Sequence, residues 1–111
     1  MTESDSPDLS SPPVRVYETA TQHQAKMACR DYLTAQHRMH YVNRLGADDW
    51  LEQELMAVTV AANNWATATG GHTVTIDQVR MYDQLATGAD WVSKLALYVA
   101  EAVVYGESRQ P

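Results

Sequence analysis

Glycine spacing is the feature that most limits what this chain can fold into. Gly46, Gly70-Gly71, Gly88 and Gly106 each close a stretch rich in helix-forming residues. A helix commonly ends on a residue in the left-handed conformation, where glycine is the usual choice, so these sites read as C-termini. The starts are equally legible. Asp48 precedes Trp50 and Leu51, Thr75-Ile76-Asp77-Gln78 has the form of a capping box, and Thr87 or Ala89-Asp90 opens the last segment. The pattern predicts an all-α protein with helices over about 19–45, 49–69, 76–86 and 90–105. His72 to Thr75 alternates like a strand but is long enough only for a connector.

With 111 residues the chain suits a single domain with one core. Residues 1–16 are rich in Ser, Pro and Asp and are expected to form a disordered tail, leaving 17–111 as a single helical domain. No apolar run reaches the length of a membrane span. The richest stretch, Leu95 to Tyr105, is short and contains Glu101, so no membrane contact is expected. The N-terminus lacks the basic-then-apolar layout of a signal peptide. A lone cysteine, Cys29, excludes an internal disulfide and fits a reducing compartment, so a cytoplasmic location is expected.

Helical periodicity assigns the faces. In the second segment Leu51, Leu55, Val58, Ala62 and Trp65 share a row, flanked by Ala57, Ala61 and Ala68, with Met56 and Val60 further round. A helix apolar over most of its circumference is usually central, so the bundle is expected to pack around this one. The fourth segment has a broad apolar face. Leu97 and Val104 fall on its opposite side, where they suggest a second interface, including one between copies.

In the first segment Ala25, Ala28, Cys29, Tyr32, Ala35, Met39 and Val42 read as the inward face. The opposing line carries His23, Lys26, Arg30, His37, Tyr41 and Arg44 within an arc of about 60°, over roughly 30 Å. Charge is polarised to match. Residues 1–18 hold one base and four acids, residues 19–46 four bases and one acid, and residues 47–111 three bases and nine acids, for a net charge of -6. A basic helix on an acidic body points to docking on an acidic protein, or on another copy through Asp48, Asp49, Glu52 and Glu54. The alternative is contact with nucleic-acid phosphates within a larger assembly.

Catalytic signatures are missing. Cys29 falls on an apolar face, Gly70-Gly71 has no Lys-Thr sequel, and the 48–54 carboxylates read as charge at a helix N-terminus. His37 and His40 have the spacing of two ligands but lack further ligands nearby, so no metal or cofactor is expected. Thr73 to Val79 after a long helix resembles the loop and third helix of a histone-fold subunit, over less than a fifth of the chain. Trp65-Ala66-Thr67 lacks the glycine of the secreted helical hairpins named for a Trp-x-Gly turn. Neither likeness identifies a family. The sequence predicts a non-catalytic adaptor, small inhibitor or subunit of a bacterial or phage complex, docking through the basic stripe.

Overall fold

A computed structural model describes residues 18–43 and 50–107, the side chains of 41–43, 50 and 51 excepted. The tail expected over 1–16 and the Gly46 stop lie outside them. Among the described residues four helices form, α1 (Ala20–Asn43), α2 (Trp50–Thr69), α3 (Ile76–Leu85) and α4 (Trp91–Tyr105). The all-α class is as predicted. None of the four is long and apolar enough to cross a membrane.

Local chemistry sets the ends. At the start of α3 the Thr75 hydroxyl accepts from the Gln78 N–H (3.1 Å), while Gln78 Oε1 accepts from the Thr75 N–H (2.9 Å). Thr19 and Gln22 build the same reciprocal box at the start of α1, at 3.0 and 2.9 Å. The Thr-x-x-Gln pattern marks both places. Gly70 and Gly106 adopt φ of 74° and 90°, ending α2 and α4. Asp90 stands at the start of α4 without a side-chain cap bond and pairs instead with Lys94, one turn on (3.4 Å).

The connector between α2 and α3 is tied down by polar contacts. The His72 N–H donates to the Val103 carbonyl of α4 (2.8 Å). Asn63 treats Val74 as one strand treats another, accepting from its N–H (2.7 Å) and donating to its carbonyl (3.0 Å). These bonds satisfy connector backbone groups that no hydrogen bond within a helix serves. They leave the Val74 side chain buried in the core.

α1 runs antiparallel to α4, since Glu18 meets Tyr105 at one end and His37 meets Trp91 at the other. It is antiparallel to α2 as well, through Tyr32 on Trp65 and His37 beside Glu54. Leu33, Leu55, Val58, Val79, Leu95, Val99 and Val103 are fully enclosed where these helices meet. Burial of each such side chain contributes about 1.5–3 kcal/mol.

Two expectations about faces do not hold. The enclosed helix is α4, not α2. Every α4 residue is buried or half-buried, whereas α2 exposes Glu52, Gln53, Met56, Val60, Asn64 and Thr67. The reason is composition: each helix carries two charges, but α2 adds Gln53, Asn63, Asn64 and three threonines, whereas α4 adds only Ser93 and its tyrosine hydroxyls. α1 is also turned by about one residue step, ~100°, from the predicted orientation. Its buried row is Cys29, Leu33 and His37, four residues apart. Ala28, Tyr32, Ala35 and Met39, expected inside, are exposed, and Ala25 is half-buried. Leu33 is the largest aliphatic side chain on the described part of α1, and burying it outweighs burying alanines.

Candidate interaction surface

Rotation of α1 turns much of the basic stripe toward the protein's own body, and Lys26 and Arg30, its Lys and Arg residues among the described ones, each meet a partner within the chain. Lys26, only 11% exposed at its side chain, sits 2.7 Å from one Glu18 oxygen and 3.5 Å from Glu101. Its Nζ also lies 5.9 Å from the centre of the Tyr105 ring, within cation–π reach. The Glu18 carboxylate further accepts from the Tyr105 hydroxyl and from the His23 ring. Hydrogen bonds from Lys26, then Tyr105, then His23 hold the Glu18 carboxyl down at about 2. One carboxylate thus gathers donors from the first turns of α1 and the last turn of α4.

Arg30 turns to its neighbour Asp31, 2.6 Å away. His37 is 2% exposed, with its ring edge-on to Trp91 at 5.0 Å and its Nδ1 3.9 Å from the buried Glu54 carboxylate. That gap is longer than a hydrogen bond. Burial first, then the neighbouring His40, push His37 down to about 4, so the ring is neutral near pH 7. Tyr41 belongs to α1 by its backbone, but its side chain lies outside the described set, as does all of Arg44. The outward line expected of six docking residues is therefore corrected at His37, which is core, and at Lys26, which is largely buried against Glu18 and Glu101. His23 stays exposed, with its ring on Glu18. Leu97 and Val104 are half-buried, so the second interface expected there has little free area.

The surface that α1 does present is the one expected to be buried. Ala28, Tyr32, Ala35 and Met39 lie along it, with Tyr32 at 40% and Met39 at 52% exposure. The Tyr32 ring stacks on Trp65 of α2 (5.7 Å, 25°), which fixes its position. Asp31 and Arg38 flank the apolar row and are both exposed. The sequence signal that would have revealed this turn is Leu33. It falls between Cys29 and His37 on the wheel, so burying it carries both inward and leaves the alanines outside.

Chemistry elsewhere is sparse. Cys29 is buried, and burial raises its thiol to about 12, far from a reactive thiolate. Among the described residues no three His, Cys, Asp or Glu side chains come together as a metal site. No family model, curated protein or solved structure matches this chain.

Proposed function

We propose that this protein is a non-catalytic interaction module, an adaptor, small inhibitor or complex subunit, that docks other protein through the outward face of α1. The observation that carries this reading is the exposed row of Ala28, Tyr32, Ala35 and Met39 on a helix whose opposite side supplies its core contacts. Tyrosine and methionine are among the side chains enriched at interfaces, and the alanines between them allow close approach. Burial of Cys29 and His37 also removes the thiol and one of the three imidazoles of α1 from solvent.

A photoreactive residue in place of Ala35 tests the proposal in the source cell, with the exposed Gln84 of α3 as control position. Cross-linked protein adducts at 35, this chain included, and none at 84 are expected. Absence of any adduct at 35 sinks the docking role.

A further inference from the structure

We infer that a second copy of this chain covers the outward face of α1, in an antiparallel two-fold pairing of the two α1 helices. This rests on the docking role proposed above and names its partner. Thr21, Ala25, Ala28, Tyr32, Ala35 and Met39 recur at alternating spacings of four and three. That spacing has the 3.5-residue period of a helix–helix seam. All but the half-buried Ala25 are exposed. Small and large side chains alternate along the central part of the row. Ala28 and Ala35 stand seven apart, and so do Tyr32 and Met39.

That alternation selects one geometry. A two-fold axis midway between Tyr32 and Ala35 sets Tyr32 of one copy on Ala35 of the other, and Met39 on Ala28. Each pairing then occurs twice, as a self-complementary interface requires. Large side chains meet small ones in every layer, which fills the seam at the density of a protein interior. A parallel pairing would stack Tyr on Tyr and Met on Met and leave gaps at both alanine layers.

Charge makes the same choice. Asp31 and Arg38 lie seven residues apart on one flank of the row and are both exposed. Arg38 makes no ion pair among the described residues, and Asp31 holds only its exposed neighbour Arg30. The antiparallel two-fold brings Asp31 of one copy beside Arg38 of the other, on both sides of the axis. In a parallel arrangement the like flanks of the two copies lie on opposite sides of the seam, so Asp31 and Arg38 would not meet. With one charge of each sign the flank favours neither a strongly acidic nor a strongly basic partner, and its own copy complements it. The seam from Ala28 to Met39 is about 16 Å long. An interface centred on it belongs among the small ones, so the pair is expected to dissociate on dilution.

Sedimentation equilibrium of the full chain over a concentration series reads this directly. The mass is expected to rise from the 12.4 kDa of one chain toward twice that value. Asp31→Arg and Arg38→Asp, each at an exposed position, should separately weaken pairing by at least about tenfold. Mixing the two variants should restore it, because each then supplies the charge the other lacks. Thermal melts like that of the parent chain will show that both variants are folded. A parent chain that stays monomeric at every concentration overturns the pairing. So does a mixture no better than its components. Adducts of the residue-35 cross-linker with other proteins alone would sink the second copy as partner while leaving the docking role intact.

Discussion

Substitution of Gly71 by alanine probes how closely the α2–α3 connector lies on α4. A Cβ built at Gly71 would sit 2.8 Å from the Val103 carbonyl oxygen and 2.9 Å from Val103 Cγ1. The oxygen belongs to the backbone of the most enclosed helix and already accepts the His72 N–H at 2.8 Å. Neither atom has room to retreat, so the connector must lift. Forcing an added carbon into a packed site costs about 1–3 kcal/mol, and weakening one hydrogen bond adds about 1 kcal/mol. Gly71 is not among the glycines with positive φ. Alanine there recovers about 0.4–1 kcal/mol by restricting the unfolded chain. The net expectation is a loss of about 1–3 kcal/mol. For a domain of this size each kcal/mol lowers the melting temperature by about 4–8 °C. Gly70→Ala separates conformational strain from crowding, because Gly70 has a φ of 74° but a methyl group there would meet nothing within 4 Å. Its loss should not respond to changes at Val103, whereas the Gly71→Ala loss should shrink in part when Val103 is also made alanine. Thermal unfolding followed by circular dichroism, with urea titrations to check that the m-value holds, measures all of these. Gly71→Ala as stable as the parent would refute the close approach.

Stability should fall as pH drops from about 7 toward 4. The unfolded chain binds a proton at His37 near its ordinary 6.5, whereas the folded one resists until about 4. That difference is worth roughly 3 kcal/mol at pH 4. Glu54 and His40 are the titratable groups beside the ring. His37→Phe should flatten this part of a stability–pH profile, and an unchanged slope would place the titration elsewhere. Below about 4.5 the Glu18 carboxylate, held near 2 in the fold, adds its own loss as pH falls further. Lys26→Glu would set a third carboxylate against Glu18 and Glu101 and should destabilise the domain by several °C, whereas exposed Arg38→Glu should leave its melting temperature nearly unchanged. Asn63→Ala strands both polar groups of Val74 and is expected to cost about 1–3 kcal/mol. Hydrogen exchange at the Val74 amide should speed up in parallel.

Element boundaries were legible because they depend on local chemistry. Thr75 with Gln78, and the glycines at 70 and 106, act through their own backbone, and the helices end within a residue or two of where the pattern puts them. Faces were harder, since a wheel ranks residues without knowing their partners. Lys26 reads as a surface cation until Glu18 and Glu101 arrive from either side. His37 reads the same way until Trp91 and Glu54 enclose it. The choice of α1 face rests on contacts between residues up to 87 positions apart, and no periodicity within one helix encodes those. Asn63 shows the same limit. Its type marks a polar strip, while its role depends on Val74, eleven residues away.

The single thiol turns the core into a clock. Cys29 is fully enclosed between α1 and its neighbours, and its proton is held far above the working range of thiol reagents. An alkylating probe therefore reacts only in molecules that have opened. When reclosing outpaces reaction, the labelling rate tracks the population of the open form. A chain with one cysteine needs no engineered reporter, and its rate of modification in dilute and concentrated samples would show directly whether company at the outer face of α1 keeps the interior shut.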